Sequence, residues 1–210
     1  MLSVPARALQ SKDELLRRRA MLSLPHIAPL AGYCRRLRAE GRGMVPDFDP
    51  LDGGEAAEAL FLMEKPGPMT DDAGQDGRTG SGFISRDNND PTAEAILRFM
   101  EDAGIDRQRS VLWNTVPWWN GTRNISAEEL LSGTERLEEL FDLLPRLKVV
   151  IGVGAKSRKA RDLIVRKGLP FILSLHPSPI NRARRRALWD RIPAQWSSAC
   201  QYLAIDENKA

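Results

Sequence analysis

The 210-residue sequence is poor in cysteine and histidine, with two of each. Cys34 and Cys200 are too few for a disulfide framework, an iron–sulfur cluster or a cysteine-rich zinc site. No cluster of carboxylates and histidines suits a two-metal centre, so no metal and no organic cofactor are expected. The longest apolar runs, KVVIGVG and PFILSLH, fall far short of the about 20 residues that cross a bilayer. The first residues lead into a polar, arginine-bearing helix rather than an apolar leader core. The expectation is a cytoplasmic protein with no membrane partner. Internal repeats and low-complexity stretches are also lacking.

Hydrophobic residues make up 42% and charged residues 28%, enough for a sizeable core. At about 100–200 residues per domain, the length allows one compact domain with an extension. The net charge of +3 hides a segregation along the chain. Residues 43–110 carry 6 basic and 15 acidic side chains, whereas residues 148–191 carry 12 basic and 2 acidic. A basic block of that density suits a polyanion, because each phosphate neutralised releases counterions. From charge alone, a solvated basic helix without a partner fits equally well.

Residues 10–20 and 26–40 read as amphipathic helices, the second ended by Gly41, Gly43 and Pro46. Four short apolar runs predict strands: ALFLMEK (59–65), SVLWNTV (110–116), KVVIGVG (148–154) and PFILSLH (170–176). Helical patterns lie between them at 91–104, 126–144 and 157–167, and a Gly- and Asp-rich loop spans 68–82. Strands that alternate with helices and are apolar on both faces call for a parallel sheet covered on both sides. The predicted fold class is α/β: a three-layer α/β/α sandwich around a four-stranded parallel sheet. Residues 1–45 form a helical N-terminal extension in this reading, and residues 46–210 form the α/β domain.

Ligands of such sheets bind outside the carboxyl ends of the strands. All four predicted strands end in chemistry-bearing residues: Glu64-Lys65-Pro66-Gly67, Asn114-Thr115-Val116-Pro117, Gly152-Val153-Gly154-Ala155-Lys156 and His176-Pro177-Ser178-Pro179. Parallel topology brings these ends to one edge. GVGAKS echoes a phosphate loop without its G-x-x-x-x-G-K-[ST] spacing, which counts against a nucleotide hydrolase.

In order along the chain, MEKPG, GFIS (82–85), VLWNTVPW and HPSP resemble the signatures of the uracil-DNA glycosylase superfamily. The resemblance covers about residues 59–181 and is nearest in style to the branches with a GEAPG signature. It departs from the two best-known branches. GQDPY is absent, Gly67 stands where its tyrosine would be, the iron–sulfur cysteines are missing, and Lys65 replaces a small residue.

The resemblance implies removal of a damaged base from DNA, and the residue types suit that chemistry. Base release builds positive charge on the sugar and negative charge on the base. Glu64 is the candidate carboxylate beside the sugar, with Asp71, Asp72, Asp76 and Asp87 as alternatives for orienting the water. His176 is the candidate donor to the leaving base, and Asn114 offers a carboxamide matching the uracil edge. Phe83 is placed to stack on the base, with Pro66 and Gly67 beside it. Ile180 stands at the wedge position that fills the vacated stack. Ser157, Ser178, Lys156 and the amides of Gly152–Lys156 are candidate phosphate contacts, joined by Arg182 and Arg184. Read alone, each of these residues also has an ordinary structural explanation. The expected protein is a monomeric, monofunctional glycosylase acting on DNA that contains uracil or other deaminated bases. The competing reading is a nucleic-acid-binding module of the same fold without catalysis.

Overall fold

The computed structural model describes residues 5–72, 74 and 79–203. Helix α1 (Lys12–Met21) starts at Ser11, whose hydroxyl accepts from the Glu14 amide, and α2 (Ala28–Ala39) carries a proline in its first turn. Strand β1 (Asp47–Phe48) is followed by β2 (Ala59–Met63) and β3 (Phe83–Ile84). Helix α3 (Pro91–Asp102) is capped by Asp90, which accepts from two backbone amides. Strand β4 (Ser110–Asn114) leads to α4 (Ala127–Asp142), which opens on a reciprocal Ser126–Glu129 capping box. Then come β5 (Val149–Val153), α5 (Arg161–Arg166) and β6 (Phe171–Ser174). The described chain closes on four short helices, α6 (Pro179–Arg184), α7 (Arg186–Trp189), α8 (Ile192–Ser197) and α9 (Cys200–Leu203). No described helix is long and apolar enough to cross a membrane.

Strands β4, β2, β5 and β6 form one parallel sheet in that order, as the apolar runs require. Side chains alternate across it with period two. On one face Trp113 stacks on Phe48 at 3.9 Å and meets Tyr33 of α2. The Tyr33 hydroxyl donates to the Arg136 carbonyl of α4 at 3.0 Å, joining those two helices. On the other face Phe61 packs edge-on against Trp196 of α8, which in turn meets Phe99 of α3. This is the three-layer α/β/α arrangement. Leu30, Tyr33, Cys34 and Leu37 of α2 lie in the same apolar cluster as the sheet.

Three local expectations shift. The regular ladders stop at Met63, Asn114, Val153 and Ser174, so the chemistry-bearing residues fall at or just past the strand ends. The helix predicted over 157–167 is a 3-10 stretch, Ala155–Ala160, running into the shorter α5. Asp47–Phe48 and Phe83–Ile84, outside the four expected strands, pair as a second parallel ladder beside the main sheet.

Candidate active site

Met63 and Asn114 are partners in the β2–β4 register, and the pairing continues one step beyond it. Thr115 N–H donates to the Met63 carbonyl at 2.8 Å and Val116 N–H to that of Glu64 at 2.9 Å. Glu64 is thereby set next to the end of β4. Its side chain turns across to the 3-10 stretch that follows β5, where Oε1 accepts from the Lys156 amide at 2.8 Å. Gly154 permits the crossing: a methyl group on it would lie 2.5 Å from that same Oε1. Its φ of 102° is a conformation that side-chain-bearing residues rarely adopt.

Lys65 turns the other way. Its ammonium is almost wholly enclosed and donates to Glu129 at 2.7 Å, Asn120 Oδ1 at 2.8 Å and the Asn124 carbonyl at 3.0 Å. The MEKPG segment is thus tied to the start of α4 by a residue whose charge faces away from Glu64. Pro66 is buried, and the next residue leaves space: the nearest atom to a methyl group on Gly67 would be Arg123 Nη1 at 4.0 Å.

Asn114 is buried at the end of β4, and its Nδ2 has no hydrogen-bond partner among the described residues. A buried donor left unmade costs about 1–3 kcal/mol and calls for an explanation. Phe83 is buried too, yet it lies outside the main apolar cluster. Its backbone is held on both sides: Ser81 Oγ accepts from its N–H at 3.0 Å, and Asn88 Nδ2 donates to its carbonyl at 2.9 Å. Ser81 and Asn88 are themselves joined at 2.6 Å. These two polar residues escaped the sequence reading, because nothing in their spacing marks them as a clamp.

His176 follows β6, and its carbonyl accepts from Ser178 N–H at 2.8 Å and Asn181 Nδ2 at 2.9 Å. Burial pushes its imidazole below the usual value; Arg123 adds to this, while Glu64 and Asp90 oppose it. That shift favours the neutral ring. Ser178 caps α6, and Ile180 on that helix is 65% exposed, so it does not pack under the C-terminal helices. Arg182 and Arg184 are exposed beside it.

Some expected contacts fall away. Ser157 does not present its hydroxyl to a phosphate: the residue is fully buried and donates to the Gly154 carbonyl at 2.7 Å. The Lys156 amide is taken by Glu64, and the Gly154 amide donates to Ser174, so neither is free for DNA. The exposed Lys156 side chain remains available. Asp87 is excluded from the water-orienting role, because it is buried against Arg18 at 2.6 Å and Arg107 at 2.8 Å. Asp72 is exposed and paired with Arg19 at 3.1 Å, Asp71 is buried, and Asp76 lies outside the described residues. Trp113 belongs to the core.

The strand ends therefore carry a carboxylate, an imidazole and a buried carboxamide donor with no partner among the described residues at one sheet edge, while the clamped Phe83 sits on the β1–β3 ladder. A family model described as the uracil DNA glycosylase superfamily matches residues 52–203 of the chain. A comparison with curated proteins found no significant match.

Proposed function

The chain belongs to the uracil-DNA glycosylase superfamily, whose members act on DNA as base-releasing hydrolases, and from that membership we propose that it is a monofunctional glycosylase excising uracil. In this reading the flipped base stacks on Phe83. Asn114 donates from Nδ2 to O4 and accepts from N3–H, a pattern that cytosine reverses. Neutral His176 donates to O2 as the C1′–N1 bond breaks and its electron pair leaves with N1. Glu64, held by the Lys156 amide, faces the sugar cation and takes a proton from the water that adds to C1′. Ile180 fills the gap in the stack, and Arg182 and Arg184 meet the backbone phosphates.

The Nδ2 of buried Asn114, which has no partner among the described residues, is the observation that carries this reading, because a base edge would supply an acceptor. The enclosed, triply bonded ammonium of Lys65 supports hydrolysis without an amine-linked, strand-cleaving step. The open space at Gly67 supports a base range wider than uracil, extending to other deaminated bases.

Base release from a uracil-containing oligonucleotide tests the proposal, with wild type compared to Glu64→Gln, Asn114→Ala and His176→Ala. Release by wild type and a fall of about 100-fold or more in each variant are expected. Tight DNA binding with no release from uracil or any other deaminated base would overturn it in favour of a non-catalytic binding module. Release surviving in Glu64→Gln would keep the activity and transfer the water-orienting role to an aspartate.

A further inference from the structure

A groove of about 450 Å³ lies between α3 and the α6–α7 segment, and neither Glu64 nor Asn114 lines it. Trp189 forms part of its wall and is itself buried. Three guanidinium groups crowd this one indole: Arg182, Arg98 and Arg186 stand 5.3, 5.4 and 5.6 Å from its ring centroid. Arg186 is neutralised by Asp190 at 2.7 Å, whereas Arg98 and Arg182 have no acidic partner among the described residues. The acidic groups of the wall are Glu94, paired with Arg7 at 2.8 Å, and Glu101. The indole Nε1–H also has no acceptor among the described residues. Two guanidiniums with no acidic partner among the described residues, set on one aromatic platform, suit an anion.

We propose that this groove is a second DNA contact, in which Arg98 and Arg182 hold a backbone phosphate of the duplex outside the flipped nucleotide. The partner rests on the glycosylase reading above. Continuity points to DNA: Pro177 and Pro179 line the groove, and they flank Ser178 in the segment that carries His176 and leads to Ile180. A duplex engaged by Ile180 is thus brought alongside α6, the helix that presents Arg182. Arg98 extends the footprint to α3, a helix with no glycosylase signature, which is why the sequence did not reveal it.

The test is equilibrium binding of a uracil-containing duplex of about 20 base pairs by fluorescence anisotropy, across a salt series. Wild type is compared with Arg98→Glu, Arg98→Gln and Arg98→Lys, alongside single-turnover base release at saturating DNA. Arg98→Glu is expected to weaken binding about tenfold, equally for damaged and undamaged duplex, and to lower the salt slope by about 0.9 for the lost phosphate. Arg98→Gln should lose the same slope while keeping its stem on the rings, and Arg98→Lys should retain it. The release rate at saturation should not change. Unchanged affinity and slope in Arg98→Glu and Arg98→Gln, with melting temperatures intact, would overturn the inference. So would unchanged DNA affinity alongside loss of binding to a poly-glutamate peptide, which would assign the groove to an acidic protein segment. The two proposals fail separately: base release judges the activity, and the Arg98 affinities judge the groove.

Discussion

Replacing Gly154 with alanine asks whether catalysis depends on where the Glu64 carboxylate is held. Gly154 sits at φ 102° and ψ 160°, a region that costs a side-chain-bearing residue about 1–3 kcal/mol. The added methyl group would lie 2.5 Å from Glu64 Oε1, 2.8 Å from Cδ and 3.0 Å from Cγ. Ordinary contact begins near 3.4 Å, so the carboxylate must retreat by about an ångström. That retreat breaks the 2.8 Å bond from the Lys156 amide, a charge-assisted contact worth about 1.5–3 kcal/mol. Misplacement of a reacting group by about 1 Å costs roughly 100-fold in rate. Gly154→Ala is therefore expected to release uracil about 100 times more slowly in single-turnover assays at saturating DNA. Its melting temperature should fall by several degrees, at about 2–4 °C per kcal/mol for a chain of this size. Glu64→Gln and the double variant identify the route. If Gly154 acts through Glu64, the double variant is no slower than Glu64→Gln, and the stability losses sum to less than additive because both changes weaken the same Lys156 contact. A wild-type rate in Gly154→Ala would refute the reasoning, as would an undiminished further loss in the Glu64→Gln background.

Asn114→Leu should abolish base release without lowering the melting temperature, because it removes a buried donor that has no partner among the described residues. A clear loss of stability would instead mean that the carboxamide is a structural element. Arg18→Met should destabilise the fold by about 3–5 kcal/mol, because Arg18 is fully buried between Asp49, Asp87 and Glu14 and its removal leaves carboxylates undercompensated. Denaturant titration showing a cost below about 1 kcal/mol would contradict that. His176 carries a pH signature. Its folded imidazole takes a proton less readily than the ordinary value of 6.5, so the stability it contributes above that pH is lost as pH falls through 6.5 toward the lower folded value. Denaturation at pH 8.0, 6.5 and 5.5 should show His176→Gln gaining on wild type in acid; parallel curves would remove burial as the cause.

The acidic residues of the middle segment show how a local reading stops short. Asp49, Asp52 and Asp87 look like loop carboxylates in sequence, yet they are buried with Arg18, Arg86 and Arg107 in one ion-pair network. Burial pushes Asp52 up to about 6, against the pull of Arg86 and Arg107. This network fastens α1 onto the loops that carry β1 and β3. Its partners are separated by up to 69 residues, so neither helical periodicity nor turn chemistry could announce it.

What the sequence by itself determined was local and periodic. Apolar runs ended by Pro, Gly or polar residues placed the four strands, and their alternation with amphipathic helices implied a parallel sheet with both faces covered. Parallel connectivity then put Glu64, Asn114 and His176 at one edge. Tertiary structure alone decided the strand order and what each neighbouring side chain does there. Glu64 crosses to Lys156 because β5 lies against β2 and Gly154 leaves room, while Lys65, one residue on, faces α4. Ser157 turns inward and Ile180 outward, though both follow the ends of apolar strands. The reason is physical: a strand's pattern records which of its faces is buried, whereas direction beyond its last hydrogen bond depends on contacts from other elements.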